Sequence, residues 1–543
     1  EKYDFIDIAV RGEGEVVFAE ILKRFLKSND FSGIPSVSWR HSLTNKCICN
    51  PDQLKLEREL DAFPSPYLSE FYEYFFTEYN DITFQAIIET DRGCPFTCAF
   101  CYWGQGGLNS KLRFHSLDRI RNEIEWMARH NILYVFNAAS NFGINKRDIE
   151  IARILVDTKQ KYGYPDKFRT CYAKNAEENV YKIAVILHQH QMEKGITMSR
   201  QSMEPSVLRN IRRQNIRMES FNALQKRFNE IEIPVYFEMI LGLPGETYET
   251  WLNGIEMLLQ SGLKSQLFVY HCQVFPNTKM ANIEYQKEHG IITRDILLTE
   301  IHGAIRDADS TPEFEKIIVS TKTMLLDDWK NATVFSWFTM AFVSFKPIFF
   351  ILMYIRNRHK ISHIEFLRYL VEDRMPKNTG KIIREEIATY RQKLDQMLAG
   401  GGRCRCLKEF GEIYWEEEEA SFLRVLEKRD VFYDEIFEVV QLYFKEHGID
   451  FSLEELSEVI KYQRVRIPTW NPLETTLLFR FNIPEYFEKE MNGHIVPIKP
   501  SSQTLRILAP YDFQGDKIRF AREIVLWGRK SNKIFNNVEY GND

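Results

Sequence analysis

The sequence predicts an α/β protein, in which a partial (β/α)6 barrel follows the end of a Rossmann-like domain and precedes a mainly α-helical domain. Two observations predict it. Six apolar, strand-like segments alternate with amphipathic stretches between about residues 82 and 280, and the pattern after about residue 295 is mostly helical. A chain of 543 residues is also too long for one ordinary core. We therefore expect domains at residues 1–75, 76–294 and 295–543.

The first segment has the pattern of a strand, a turn and a helix. Phe5–Val10 is apolar, Gly12–Glu15 forms a glycine turn, and the helical stretch VVFAEILKRFL follows. This is typical of the last strand, loop and helix of a Rossmann-like domain, whose earlier strands the sequence does not contain. The chain either begins inside such a domain or never had one. Phe63–Tyr67 holds two prolines, which disfavour a helix and suit a connecting arm.

The predicted barrel consists of six strand–helix units. Its strands are TFQAIIE (83–89), ILYVFNA (132–138), FRTCYAK (168–174), GITMSRQS (195–202), PVYFEMILG (234–242) and LFVYHCQVF (267–275). Parallel strands joined by helices place their carboxyl ends on one edge, where the active sites of such sheets lie. Functional residues are therefore expected at the ends of these strands.

The predicted helical domain contains one long apolar stretch, from Thr333 to Ile355, with a single charge at Lys346 beside Pro347. Each half is shorter than the roughly 20 residues needed to cross a bilayer, so we expect two buried helices joined at a kink and no transmembrane span. A wall against an apolar substrate stays open as an alternative. Gly400–Gly402 indicates a flexible joint, and the acidic run Glu416–Glu419 predicts a solvated helix face.

The composition disfavours some partners and indicates a metal site. The net charge is −5, and 71 basic residues are dispersed among 76 acidic ones, which disfavours a nucleic-acid partner. Three of the nine cysteines lie within eight residues, which indicates a metal in a reducing cytoplasm rather than a disulfide framework. No pattern of an N-terminal signal peptide is present, so we expect a cytoplasmic protein.

The three clustered cysteines carry the strongest chemical signal. Cys94, Cys98 and Cys101 directly follow the first predicted barrel strand, with three and then two intervening residues. Three thiolates at this spacing can hold one four-iron cluster and leave one iron open to another ligand. A structural zinc site, or thiols that bind nothing, is the alternative. Zinc needs a fourth ligand, and the nearest candidate, His115, is not at zinc-finger spacing.

The segment CPFTCAFC resembles the signature of the radical S-adenosylmethionine (SAM) superfamily. The resemblance implies that the open iron chelates the amino and carboxylate groups of SAM. Reductive cleavage then releases methionine and a 5′-deoxyadenosyl radical, which takes hydrogen from the substrate. It also implies that Phe100 lies near the adenine, with a role as core filler as the alternative, and Tyr102 is assigned to the same cofactor. No catalytic residue is identified.

Further residues resemble the superfamily at the ends of later strands. Asn137 stands where relatives often carry an acid near the SAM amino group, so its neutral side chain departs from the pattern. Gln201 and Arg213 suit ribose hydroxyls and a carboxylate. Glu238 is assigned to the ribose, and the glycines of Leu241–Glu246 imply a close approach of backbone to SAM. A turn, a surface arginine and a local pairing of Glu238 are the alternatives.

Two segments before the barrel resemble cobalamin-binding radical SAM enzymes. These are the Gly12–Glu15 turn with its helix and the Phe63–Tyr67 arm, and the resemblance assigns Gly12 and Gly14 to cobalamin. Such enzymes often carry an Asp-x-His-x-x-Gly motif whose histidine ligates cobalt, and this sequence contains no match. Either the motif lies upstream, or cobalamin binds without it, or the cofactor has been lost. Ordinary capping of a helix start is the alternative for the acidic turn.

The predicted function is a radical SAM enzyme with a [4Fe–4S] cluster, SAM and cobalamin, which transfers a methyl group to an unactivated carbon. The expected partners are a small-molecule or natural-product substrate, of apolar character, and a reductant such as flavodoxin or ferredoxin. Two alternatives stay open: a radical SAM enzyme that forms rings, oxidises or epimerises without methyl transfer, and a non-catalytic iron–sulfur or zinc protein.

Overall fold

The computed structural model describes residues 5–52, 56–79, 81–103, 111–193, 195–261, 264, 266–307, 309–471, 475–508, 512–529 and 534–541. The chain divides into two compact units. The first unit comprises Glu1–Glu193 and Phe275–Asn282, and the second comprises Lys194–Val274 and Ile283–Asp543. Both units combine helices and strands, so the predicted mixed α/β class is confirmed.

The amino-terminal part of the first unit is a small antiparallel sheet with a helix. Its elements are β1 (Ile8–Val10), α1 (Glu15–Phe25), β2 (Val37–Arg40), β3 (Cys47–Cys49) and α2 (Glu73–Glu78). The strands pair in the order β1–β2–β3, and α1 buries Val17 and Ile21 in the core of this sheet. The antiparallel order was not expected from the strand–turn–helix pattern, and the Rossmann-like assignment stays a prediction.

The rest of the first unit contains the cysteines. Its elements are β4 (Ala86–Ile88), β5 (Asp91–Arg92), β6 (Arg113–Phe114), α3 (Leu117–Arg129), β7 (Tyr134–Phe142), α4 (Arg147–Tyr162), β8 (Lys167–Tyr172) and α5 (Glu177–Gln189). Strands β4, β7 and β8 form a parallel sheet, whose apolar side chains pack against α3, α4 and α5. The short pair β5–β6 is antiparallel and encloses the cysteine-containing loop. Ser116 caps α3 by accepting a hydrogen bond from the backbone N–H of Arg119 (3.1 Å).

The second unit begins with another parallel sheet. Its elements are β9 (Ile196–Gln201), α6 (Pro205–Asn210), α7 (Met218–Glu230), β10 (Val235–Leu241), α8 (Tyr248–Gln260), β11 (Gln266–His271) and α9 (Ile283–His289). Strand β10 lies between β9 and β11. Each of the six predicted barrel segments therefore overlaps an observed strand. Hydrogen bonding among the described residues groups these strands as two three-stranded sheets, and the complete partial barrel stays a prediction.

The remainder of the second unit is mainly helical. Its elements are β12 (Ile292–Leu297), β13 (Phe314–Ser320), α10 (Leu326–Phe338), α11 (Phe349–His359), α12 (His363–Val371), α13 (Lys381–Leu398), β14 (Arg405–Cys406), β15 (Tyr414–Trp415), α14 (Glu417–Glu427), α15 (Arg429–Glu446), α16 (Leu453–Arg466), β16 (Thr475–Phe481), α17 (Ile483–Met491), β17 (Pro500–Leu508), α18 (Lys517–Phe520) and β18 (Asn537–Gly541). Strands β16, β17 and β18 form an antiparallel sheet that the helical pattern did not predict.

The long apolar stretch forms two buried helices. Among the described residues no single helix is long and apolar enough to cross a membrane, and one pair, Leu326–Ser344 with Phe349–His359, passes that test only together, with a bend of 94°. Lys346 lies in the bend, with a φ of 78°. Residues 332–352, which include the bend and the adjoining parts of both helices, are all buried. The sequence prediction of two buried helices joined at a kink agrees with this arrangement.

The prediction of a solvated face at Glu416–Glu419 is wrong. Glu417, Glu418 and Glu419 are 4%, 7% and 1% exposed. The guanidinium of Arg529 lies among them, 2.8 Å from Glu418, 3.0 Å from Glu419 and 2.9 Å from Glu416. A buried arginine compensates several carboxylates at once, so this acidic run belongs to the interior.

Candidate functional site

The three cysteines of the predicted cluster lie on one turn that follows β5. Cys94 and Cys98 are buried, and Cys101 is half-buried. The backbone N–H of Cys101 donates a hydrogen bond to the carbonyl of Cys98 (3.1 Å), which closes the turn. Burial raises the pKa of the Cys101 thiol, and the neighbouring thiols of Cys98 and Cys94 raise it further. A positive group bound among these sulfurs would therefore be needed to hold all three as thiolates.

Two side chains direct N–H groups at the cysteine sulfurs. The amide Nδ2 of Asn141, at the end of β7, lies 3.2 Å from Sγ of Cys94. The ammonium Nζ of Lys174, two residues beyond β8, lies 3.3 Å from Sγ of Cys98. Hydrogen bonds to sulfur favour the thiolate form and are a feature of iron–sulfur sites. The donor set therefore fits a cluster held by Cys94, Cys98 and Cys101.

The zinc alternative would need a fourth ligand beside the three cysteines. Among the described residues, no group of three or more His, Cys, Asp or Glu side chains, the three cysteines included, is gathered closely enough to hold a metal ion, so the spacing of these side chains does not separate zinc from a cluster. His115 is engaged elsewhere, because its Nδ1 lies 2.8 Å from Asp61.

Glu13 and Glu15, in the turn before α1, form ion pairs with the two arginines at the ends of the cysteine-containing loop. Arg92 of β5 and Arg113 of β6 are paired in register at the two ends of this loop. Glu13 accepts hydrogen bonds from both terminal nitrogens of Arg113 and lies 3.4 Å from Arg92. Glu15 lies 2.7 Å from Arg92. The acidic turn is therefore held by ion pairs.

The predicted cobalamin glycines begin α1. Gly12 has a φ of 90°, a backbone conformation that favours glycine. Gly14 is the N-cap residue of α1, and a Cβ atom added there would meet no atom of the chain within 4 Å. Packing within the chain therefore does not explain glycine at position 14, and its assignment to cobalamin stays a prediction.

Three further candidates lie in the first unit near the strand ends. Phe100 is half-buried and Tyr102 is 40% exposed. Asn137, inside β7, is fully buried, and its Nδ2 lies 3.1 Å from the Thr90 hydroxyl and 3.3 Å from that of Thr170. Asn137 thus ties neighbouring strands together. The assignments of Phe100, Tyr102 and Asn137 to SAM stay predictions.

The candidates of the second unit surround a bulge in β9. Glu238 pairs with Ser199 and Met239 with Gln201, so Arg200 has no partner across the sheet. Gln201 has a φ of 65°, and Glu238 accepts a hydrogen bond from the Ser199 hydroxyl (2.5 Å). Bulges of this kind redirect side chains and are common next to active sites. The sequence pattern gave no signal for it.

Arg213 forms hydrogen bonds beside the bulge in β9. It is buried, and its Nη2 donates to the carbonyl of Ser199 (2.5 Å) while its Nε donates to Asn215 (2.8 Å). Burial lowers the pKa of neighbouring Arg200 to about 10, and the charge of Arg213 adds to this effect. The predicted roles of Gln201, Arg213 and Glu238 in holding SAM stay predictions.

The turn after β10 is explained by contacts within the second unit. Gly242 and Gly245 have φ values of 98° and 100°. A Cβ at Gly242 would lie 3.1 Å from the carbonyl of Ile318, and one at Gly245 would lie 2.6 Å from Asn210. Glu246 is buried and accepts a hydrogen bond from Ser202 (2.5 Å). These glycines are therefore required by the turn itself, whether or not SAM approaches it.

A cavity within the second unit lies at the carboxyl ends of β10 and β11. Tyr270 and His271 of β11 line it together with Arg403 and Glu416. Burial raises the pKa of Glu416 to about 7, with a further contribution from Glu418, and burial lowers the pKa of His271 to about 3. Polar groups that converge on a concave site are typical of ligand pockets. The sequence indicated this edge but not the residues beyond β11.

The chain was compared with known proteins. Residues 88–271 match the model of the Radical SAM superfamily. The chain is 33% identical over 373 residues to 2-(S-pantetheinyl)-carbapenam-3-carboxylate methyltransferase of Streptantibioticus cattleyicolor, covering 68% of this chain and 54% of that protein. It is 32% identical over 370 residues to the cobalamin-dependent radical SAM methyltransferase TokK of Streptomyces tokunonensis, covering 67% and 53%.

Among solved structures, the chain is similar to the radical SAM methyltransferase TsrM from Kitasatospora setae with tryptophan substrate and a SAM analogue bound. The sequence identity is 17% and the TM-score is 0.40, and the match covers 56% of this chain and 58% of that chain. The present chain spans about half the length of the two curated relatives.

Proposed function

Residues 88–271 belong to the radical SAM superfamily, and on this premise we propose that the chain cleaves SAM reductively at a [4Fe–4S] cluster and is a cobalamin-dependent methyltransferase. The observation that carries the proposal is the cysteine turn inside the matched segment. Its three cysteines lie within eight residues of one turn, and Asn141 and Lys174 direct N–H groups at two of the sulfurs.

Residues of this chain would bind the cluster and fix the loop that carries it. Cys94, Cys98 and Cys101 would hold the cluster, which when bound supplies an open iron for SAM and the electron that breaks its sulfonium bond. Glu13 and Arg113 fix the base of the loop that carries these cysteines. The cluster loop is thus fixed at its base and at two of its sulfurs, which limits its movement when an electron is added.

We assign Gln201, Arg213 and Glu238 to SAM as part of the same proposal. Gln201 is the last residue of β9, Glu238 pairs with Ser199 across β9 and β10, and Arg213 donates to the Ser199 carbonyl, so all three lie around the carboxyl half of β9, toward the edge where ligands of parallel sheets bind. The bulge at Arg200 gives this edge an irregular backbone that suits a ligand. We also retain the partial (β/α)6 barrel, because all six strands occur in the predicted order and run parallel within each sheet.

Cobalamin and methyl transfer are the finer part of the proposal. Both curated relatives are named as methyltransferases, and one of them as cobalamin-dependent, which supports this part, as does the open space at Gly14. We propose a small molecule as the substrate, bound in the cavity at the ends of β10 and β11. A one-electron donor of the flavodoxin or ferredoxin type would reduce the cluster. None of the nine cysteines forms a disulfide, which suits a reducing cytoplasm.

The test separates the three candidate functions by their products. Anaerobically reconstituted protein is incubated with cobalamin, SAM and a chemical reductant, and the nucleoside products are quantified. Formation of both S-adenosylhomocysteine and 5′-deoxyadenosine supports methyl transfer. Formation of 5′-deoxyadenosine alone contradicts methyl transfer and favours a ring-forming, oxidising or epimerising enzyme. Formation of neither product from iron-loaded protein contradicts the enzyme itself. Cys101→Ala is the inactive control.

A further inference from the structure

Lys174 places a positive charge beside the cysteine turn. Its Nζ lies 3.3 Å from Sγ of Cys98 and 3.9 Å from the centroid of the Phe96 ring. The three cysteines are assigned as the ligands of the cluster. Lys174 is not among them, and it is not among the residues assigned to SAM.

Two contacts position Lys174, one at its backbone and one at its ammonium. The backbone N–H of Ala173 donates to the carbonyl of Phe142 (2.9 Å), so the pairing of β7 with β8 extends to the residue before Lys174. The face of the Phe96 ring attracts the cation from the cysteine turn itself. The lysine is thus fixed both by the sheet and by a residue between two cluster ligands.

Resting on the proposed function, we propose that Lys174 raises the reduction potential of the cluster and so makes its reduction by a low-potential cellular donor more favourable. One electron comes from an external low-potential donor and makes the cluster site one unit more negative. A fixed cation and an N–H donor at a ligand sulfur stabilise this more negative state more than the oxidised one. In this role Lys174 transfers no proton and acts on the reaction only through the cluster, so it is a positioning residue.

Asn141 provides the internal comparison. It also donates an N–H to a cysteine sulfur, at 3.2 Å from Cys94, but it carries no net charge. If charge is the larger effect, loss of the Lys174 ammonium shifts the potential more than loss of the Asn141 amide. If only hydrogen bonds to sulfur matter, the two losses have equal effects, which contradicts the role of charge.

The experiment is a redox titration of the reconstituted protein with dithionite, in which the reduced cluster is followed by electron paramagnetic resonance. Lys174→Gln keeps an N–H donor and removes the charge. At the potential where half of the wild-type clusters are reduced, we expect the ratio of reduced to oxidised cluster to fall about tenfold, a shift of about 59 mV for a one-electron couple. Asn141→Leu should shift it less. Lys182→Gln, at an exposed lysine that pairs with Glu178, is the matched control and should leave the ratio unchanged.

Two further measurements keep the result decisive. If Lys174→Gln loses iron, Phe96→Leu takes its place, because it leaves the charge but removes the ring that holds it, and a lower ratio is again expected. SAM affinity is measured by equilibrium dialysis on the same variants. An unchanged potential overturns the inference, and so does weakened SAM binding without a shift in potential. Wild-type protein that holds no four-iron cluster overturns the proposed function instead.

Discussion

The ion pair between Glu13 and Arg113 gives the sharpest test of the clamp at the cysteine loop. Both side chains are 7% exposed, and Glu13 accepts from both terminal nitrogens of the guanidinium. Glu13→Gln removes the charge with little change in volume. The buried guanidinium of Arg113 then faces a neutral amide in place of a carboxylate and keeps its hydrogen bond to the carbonyl of Glu57 (2.7 Å). Breaking one side of a buried pair costs about 3–5 kcal/mol.

We therefore expect Glu13→Gln to lower the free energy of unfolding of the first unit by about 3 kcal/mol. The measurement is urea denaturation of the apo-protein followed by tryptophan fluorescence, and reconstituted protein should retain less iron. Glu15→Gln is the matched control, because Glu15 is 39% exposed and Arg92 keeps Glu89 as a partner at 2.8 Å. Its cost should stay below about 1 kcal/mol. The double variant Glu13→Gln with Arg113→Met should recover part of the loss. Equal effects of Glu13→Gln and Glu15→Gln would refute the clamp.

Three further predictions concern acid stability, cobalamin and SAM. Burial alone would raise the pKa of Glu89, but His115 and Arg92 outweigh it and lower this pKa to about 2 from its usual 4.5. Glu89 thus contributes stability above pH 4.5 that is lost as the pH falls toward 2, about 1–2 kcal/mol after allowance for solvent screening, and Glu89→Gln should flatten the measured acid-unfolding curve. Gly14→Val should reduce the cobalamin bound per chain at unchanged iron content, since the added side chain meets nothing in the chain itself, and equal cobalamin absorbance would remove Gly14 from the site. Glu238→Gln should weaken SAM binding by about 1–3 kcal/mol in calorimetry, whereas unchanged affinity would leave Glu238 with its Ser199 contact alone.

The sequence predicted the chemistry of the cysteine turn because its signal is local. Cys94, Cys98 and Cys101 lie within eight residues, and their spacing alone limits what they can hold. The radical SAM assignment is confirmed by the family match over residues 88–271. The six strands were also visible, since each is a short apolar run between amphipathic helices.

The features that the sequence did not predict depend on partners far along the chain. The Glu416–Glu419 run has the composition of a solvated helix, and only Arg529, over a hundred residues later, explains its burial. Glu13 and Arg113 are separated by 100 residues, and Lys174 and Cys98 by 76. Such contacts follow from tertiary packing, which neither composition nor periodicity encodes. The bulge at Arg200 likewise arises from pairing between strands rather than from its own segment.

The most direct test of the central claim is an iron and activity measurement on one anaerobic preparation. Reconstituted wild-type protein should contain about four irons, absorb broadly near 400 nm, and form 5′-deoxyadenosine from SAM when reduced. Cys98→Ala should lose the intact cluster and the product together. Zinc at unit stoichiometry without iron, or a complete cluster that releases no 5′-deoxyadenosine from SAM, would contradict the account.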